Sequence, residues 1–245
     1  MNIPDVTGDW IARYVSGWLI PVMTVAVLVM PVSWAEEAPE YPVYKPPCRG
    51  APVTRTGGGT RGIRENLPSI QVLVPEHTGH TAQAQPELFW YVSEPLPESL
   101  EFSLMAETDD EPLLEVRLDG VSRAGIQPVA LADYDVSLEK GVPYRFTVIM
   151  QGTEPLAGVL FSSGMIRRIE LPADVGKALQ DTVGEDRVAV YAAAGLWYDA
   201  LDSVSALIET EPDNPRLQEL RWSLLRQVGL DNVVLRLQGA ITETR

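Results

Sequence analysis

The sequence predicts an antiparallel β-sandwich of about seven strands, followed by a C-terminal α-helical hairpin. Between residues 65 and 170, short apolar or alternating runs are separated by turns rich in glycine and proline. Such runs without intervening helices are typical of an all-β domain with two packed sheets. From residue 171 onward, apolar residues recur at helical spacing instead.

The predicted strands are short segments of β-branched, aromatic and leucine-rich sequence. Two of them, around residues 101–104 and 115–118, alternate polar and apolar residues, as strands with one solvated face do. The predicted strands are residues 70–74, 88–92, 100–105, 113–118, 126–131, 144–150 and 159–169.

The predicted helical tail, residues 171–245, contains a repeat of 34 residues. Gly195-Leu196 recurs as Gly229-Leu230. The stretch from Gly195 through the small residue Ala200 to Pro212 is similar to a tetratricopeptide repeat, whereas a generic helical hairpin is the alternative. About one and a half repeats are too few to stand alone. We therefore expect the tail to dock on the β-domain of its own chain or on a partner, with Trp197 and Tyr198 as candidate partner-binding residues.

The N-terminus has the features of an export signal. Residues 14–35 carry no charge, and their apolar run ends in Ser33-Trp34-Ala35 before two glutamates. This pattern predicts a signal peptide at residues 1–35, cleaved after Ala35, and a mature protein in the periplasm or cell envelope. An uncleaved membrane anchor is the alternative, in which case this segment makes the membrane contact. Pro21 and Pro31 would make it a poor helix.

Composition excludes several classes of function. Acidic residues outnumber basic ones 34 to 19, for a net charge of −15, which argues against nucleic-acid binding. The single cysteine, Cys48, excludes a disulfide framework and a thiolate zinc site. The two histidines, His77 and His80, are expected in a solvated loop rather than at a metal. We find no nucleophile elbow, and the sequence predicts no catalytic residue, cofactor or metal site.

Residues 36–64 are predicted to be an extended leader that is rich in proline, arginine and glycine. Five basic residues face three acidic ones here. Because glycine-rich backbone and arginine side chains can bind anions, Arg55, Arg61 and Arg64 are candidate ligand-binding residues. In the alternative, the glycines form a structural edge and the arginines lie beside the acidic β-domain.

Aromatic residues in the strand at 88–92 are a second candidate ligand site. Trp90 and Tyr91 could stack on a glycan. Alternation sends neighbouring residues of a strand to opposite faces, so at least one of these rings is expected in the core.

Several segments, in order along the chain, resemble a bacterial family of exported proteins, domain of unknown function 928. They are residues 49–62, 73–76, 86–92, 101–104, 144–146, 164–169 and 191–201. The resemblance supports the domain plan of 1–35, 36–64, 65–170 and 171–245 and an envelope setting. It implies no activity and no catalytic residues.

The function expected from the sequence is that of an exported, non-enzymatic interaction or adaptor protein that binds an unidentified envelope protein. The alternative is a periplasmic module that binds a glycan or an anion, and the third possibility is an envelope hydrolase. No nucleic-acid partner is expected.

Overall fold

In the part of the chain that the structure describes, two β-sheets are followed by five α-helices. The computed structural model describes residues 41–47, 56–59, 68–151 and 159–243, all within one unit, Pro39–Arg245. The strands are β1 Thr56–Gly59, β2 Ile70–Val72, β3 Gly79–Thr81, β4 Glu87–Val92, β5 Leu100–Ala106, β6 Leu114–Leu118, β7 Gly125–Ala130, β8 Pro143–Gln151 and β9 Val159–Arg168. The helices are α1 Ala173–Gln180, α2 Gly184–Ala193, α3 Trp197–Thr210, α4 Pro215–Gln227 and α5 Asp231–Glu243.

The larger sheet has the strand order β1-β9-β8-β5-β6, and β3 pairs with β9 beyond β1. Strand β1 is antiparallel to β9, with Gly58 opposite Phe161. Strand β3 is parallel to β9, with His80 opposite Arg167. The smaller sheet has the order β2-β4-β7 and is antiparallel. One edge of strand β9 therefore pairs first with β1 and, farther along, with β3.

The core forms because alternate residues of the strands are apolar. In β5, Leu100, Phe102 and Leu104 are at most 1% exposed, while the residues between them are partly exposed. The two sheets also meet directly, since the backbone N–H of Val72 donates to Oγ of Ser162 at 3.0 Å. A side chain at Gly164 would place Cβ 2.8 Å from Val74, so this close approach requires glycine.

Helices α2 and α4 end in the same way. Gly195 and Gly229 follow them with φ angles of 73° and 72°, a left-handed conformation that glycine adopts without strain. The N–H of Leu196 donates to the carbonyl of Tyr191, and the N–H of Leu230 donates to that of Leu225, both at 3.0 Å. These bonds are typical of the Schellman motif. The 34-residue period is therefore present in the backbone geometry.

The structure confirms the predicted strands and corrects the fold class. The seven predicted strands are found as β2 and β4–β9. The sheets are not wholly antiparallel, because β3 runs parallel to β9. The described residues as a whole are mixed α/β, and the five helices after the sheets are consistent with the predicted helical tail. The described tail is longer than either a single hairpin or one and a half repeats, since it has five helices and α5, with 13 residues, is nearly as long as α3, with 14.

The predicted leader extends into the sheet. Strand β1 lies before residue 65, where the sequence places the start of the β-domain, yet it pairs with β9. The sequence does not predict strand β1, because three of its four residues are glycines and glycine has a low strand propensity. Within the described part of the chain, no helix has the length and apolarity needed to cross a membrane. The predicted signal peptide, residues 1–35, lies outside the described residues.

Candidate functional site

The first turn of α3 inserts two aromatic side chains between the helices and the sheets. The indole Nε1 of Trp197 donates to the carbonyl oxygen of Leu73, and the hydroxyl of Tyr198 donates to that of Met165, both at 2.9 Å. Trp197 is 0% exposed and Tyr198 is 1% exposed. Each side chain buries an apolar ring while its one polar atom keeps a partner. We call the contact of Trp197, Tyr198 and Asp199 with the sheets the sheet–helix junction.

Strand β3 is built to receive the ring of Tyr198. A Cβ atom at Gly79 would lie 2.7 Å from Cε2 of that ring, closer than a side chain allows. On the other side, the ring meets Phe146 edge to face, with centroids 6.4 Å apart. Tyr198 thus extends the aromatic core of the larger sheet into the helical tail.

Asp199 ties α3 to the residue that follows β3. Its carboxylate accepts a hydrogen bond from the N–H of Ala82, at 3.1 Å to Oδ2 and 3.3 Å to Oδ1, and another from the side chain of Thr81. Because Asp199 is 1% exposed, burial raises its pKa to about 6, although these hydrogen bonds act in the opposite direction. The nearby Asp202 raises the pKa further.

A tyrosine from the N-terminal side completes the junction. The hydroxyl of Tyr44 lies 2.9 Å from Nε2 of His77, and the two rings stack with their centroids 5.9 Å apart. The ring of Tyr44 also meets Trp197 edge to face at 5.2 Å. Burial lowers the pKa of His77 and raises that of Tyr44. Both side chains are therefore neutral at neutral pH, and the hydroxyl of Tyr44 can donate a hydrogen bond to the imidazole Nε2.

Residues 41–47, which we call the Tyr-Pro segment, lie against the helical tail outside any helix or strand, and their three prolines favour extended backbone. Gln227, at the end of α4, accepts a hydrogen bond from the N–H of Tyr44 at 2.8 Å and donates one to the carbonyl of Pro42 at 2.9 Å. The N–H of Lys45 donates to the carbonyl of Ala192 in α2 at 3.0 Å. The segment is thus held through its backbone and one buried ring.

The predicted partner-binding residues bind their own chain instead. Trp197 and Tyr198 contact the sheets and leave no side-chain surface for another protein, which corrects their assigned role. The expected docking of the tail on the β-domain is what the junction shows. Large apolar rings with a single polar atom suit both contact with a partner protein and contact within the chain. The sequence alone therefore does not distinguish these two roles.

The structure also corrects the aromatic platform. Trp90 and Tyr91 are 2% and 3% exposed, because β4 is the central strand of the smaller sheet and both of its faces are covered. Neither ring is available to stack on a glycan. Arg55, Arg61 and Arg64 lie outside the described residues, as does Cys48.

The segment with the two histidines is not a solvated loop. His80 belongs to β3, and burial together with Arg167 and His77 lowers its pKa. Among the described residues, no three histidine, cysteine or acidic side chains are grouped so that they could hold a metal ion.

Sequence reasoning missed three residues that organise this region. A signal for Asp199 is present, since it stands alone among apolar residues at a helix start. Tyr44 lies in a proline-rich stretch that gives no periodicity, and Gln227 occupies an ordinary polar position of a helix. Their pairing depends on contacts across 183 residues.

Comparison with known proteins places this architecture in a family. A search of curated proteins found no match to the chain. The family model described as Domain of Unknown Function (DUF928) matches residues 56–236. This range runs from β1 into α5 and so includes both sheets and the helices that dock on them. Because the match covers well over half of the chain, the protein belongs to the DUF928 family.

Proposed function

We propose that the protein is an exported, non-enzymatic interaction module in which a β-sandwich carries a tetratricopeptide-like helical tail. Contacts between the sheets, such as that of Val72 with Ser162, support the sandwich arrangement. The observation that carries the proposed function is the pair of matched helical hairpins, α2–α3 and α4–α5, whose turns share one geometry at a spacing of 34 residues. Stacked helical pairs of this kind present surfaces that bind other proteins.

The candidate acid–base groups of the junction support a non-enzymatic function. The imidazole Nε2 of His77 is engaged by Tyr44, and the carboxylate of Asp199 is engaged by Ala82 and Thr81. Both groups therefore serve contacts within the fold.

One end of the tail is held by the sheets, and its last helix, α5, presents an apolar side chain to solvent. Leu235 is 69% exposed, whereas its neighbours Val233 and Val234 are each 1% exposed and face the chain's own core. Leu235 is accordingly the position at which we test partner binding.

The test compares capture of envelope proteins by the full exported chain and by Leu235→Arg. We expect a protein that is enriched by the wild type and lost with L235R. The matched control is Val183→Arg, which changes a residue that is 82% exposed before α2 and should retain the partner. If the wild type enriches nothing relative to L235R, this interaction function is wrong. Deletion of the whole tail is a poorer test, because it would uncover the junction.

Export is tested separately, by mass spectrometry of the protein recovered from a secreting host. A chain that begins at Glu36 supports cleavage after Ala35. A chain that retains residues 1–35 and fractionates with membranes would instead support the anchor.

A further inference from the structure

The Tyr-Pro segment contacts the tail as a bound peptide would, through backbone hydrogen bonds and one ring that enters the core. Of its seven residues, Tyr44 alone is buried, at 6% exposed, while Val43 is 46% exposed and Lys45 is also exposed. Its hydrogen bonds to the helices use backbone atoms. Extended peptides recognised by other proteins show the same division, in which backbone bonds give affinity and one pocket gives specificity.

The surface that receives the segment lies between the last turns of α2 and α4. The side-chain amide of Gln227 presents one donor and one acceptor to the segment, as the edge of a peptide group does. Its Nε2 atom also donates to the carbonyl oxygen of Ser223 at 3.2 Å, which fixes the orientation of the amide. A Cβ atom at Gly195 would lie 2.7 Å from the carbonyl oxygen of Lys45. Glycine at this turn therefore lets the two backbones meet.

The pocket for the anchor ring has both an apolar and a polar part. The ring of Tyr44 meets Trp197 edge to face and stacks on His77, and the Nε2 atom of His77 meets its hydroxyl. Toward the other end of α4, the guanidinium of Arg216 lies 5.7 Å from the ring centroid of Tyr41, within range of a cation–π contact. The surface is thus matched to tyrosine at two positions three residues apart.

We propose that this surface is a recognition site for extended segments of the pattern Tyr-Pro-x-Tyr in a partner protein, and that residues 41–47 occupy it in cis. The inference rests on the proposed interaction function and names the kind of segment that the tail would bind. A tethered segment has an effective concentration in the millimolar range. A partner must therefore compete with it, and the occupied state is autoinhibited.

The test measures binding of a fluorescently labelled peptide, residues 39–47, to the full-length chain by anisotropy. Lys45→Pro in the chain removes the N–H that donates to Ala192 but leaves the receiving surface intact. One hydrogen bond is worth about 1 kcal/mol, so the peptide should bind this variant about fivefold more tightly than it binds the wild type. Tyr44→Ala in the chain removes the anchor and should increase the affinity by more than tenfold.

Three controls make the result specific. Val43→Ala changes an exposed residue of the segment and should leave the affinity for the peptide unchanged. A peptide with alanine in place of Tyr44 should not bind. In the Tyr44→Ala chain, Gln227→Leu should weaken peptide binding at least tenfold, because two backbone bonds are lost.

Folding of each variant is checked by circular dichroism. If folded K45P and Y44A chains bind the peptide no better than the wild type does, the proposal is wrong. Dimerisation of these variants without peptide binding would also overturn it, in favour of exchange between two copies. Either result leaves the partner test at Leu235 unaffected.

Discussion

The indole Nε1 of Trp197 donates a hydrogen bond of 2.9 Å to the carbonyl oxygen of Leu73, and both residues are 0% exposed. This bond joins the first residue of α3 to the residue that follows β2, across 124 positions of the chain. A buried carbonyl that loses its donor costs more free energy than the hydrogen bond itself contributes. The helical tail and the sheets are therefore expected to unfold as one cooperative unit.

Trp197→Phe should lower the free energy of unfolding by about 2 kcal/mol, because it leaves the carbonyl of Leu73 without this donor in addition to the lost packing. The matched control is Trp222→Phe in α4. Trp222 is 8% exposed, and its Nε1 has no hydrogen-bond partner among the described residues. Urea unfolding of both variants tests this. Equal losses would show that the bond to Leu73 contributes nothing beyond packing.

Gly79→Ala should destabilise the protein by about 2 kcal/mol, since the added methyl group would overpack the buried ring of Tyr198. Gly239→Ala provides the opposite case. Among the described residues, nothing lies within 4 Å of a Cβ at Gly239 in α5, so alanine there should stabilise by about 0.5 kcal/mol through its better helix propensity. Melting temperatures that shift in opposite directions confirm the prediction. A neutral Gly79→Ala would mean that the ring of Tyr198 can move away.

Asp199 should make stability depend on pH. Its pKa is about 6 in the folded chain against 3.8 in the unfolded one, so the folded chain binds the proton more tightly. The stabilising contribution of the protonated carboxyl is complete below about pH 4 and is lost as the pH rises through 6. Asp199→Asn cannot titrate. The stability of the wild type relative to this variant should therefore fall by about 2 kcal/mol between pH 4 and pH 7.

Chemical unfolding of the wild type and D199N at several pH values measures this difference directly, because the contributions of other titrating groups cancel. Parallel stability profiles would contradict the assigned pKa. A relative stability that rises with pH would mean that hydrogen bonds from Ala82 and Thr81 outweigh the effect of burial.

The spacing of apolar residues in the sequence predicts the long strands and helices of this fold, because it follows which residues are buried. The alternation around Phe102 in β5 and the 34-residue recurrence of Gly195 and Gly229 both appear in the structure. Strands β1 and β3 are missed because their stability comes from pairing with β9, not from their own side chains. A strand of Gly-His-Thr has no local signal that separates it from a turn.

The junction could be predicted only in part for a similar reason. Trp197 and Tyr198 stand out as large aromatic residues, yet the sequence does not reveal whether their partner belongs to the same chain. That answer depends on distant backbone atoms, the carbonyls of Leu73 and Met165. For Trp90 and Tyr91, the smaller sheet has to be assembled before it is clear that both faces of β4 are covered.

Gly195→Ala should release the Tyr-Pro segment as well as strain the backbone. The φ angle of 73° costs alanine about 1 kcal/mol, and the new Cβ would collide with the carbonyl oxygen of Lys45 at 2.7 Å. The control is Gly184→Ala, where φ is 57° but no described atom lies within 4 Å of the Cβ position. Hydrogen exchange at the amides of Tyr44 and Lys45 should accelerate in G195A and remain slow in G184A. Equal protection in the two variants would show that the segment can shift to accommodate the methyl group without losing its bonds to Gln227 and Ala192.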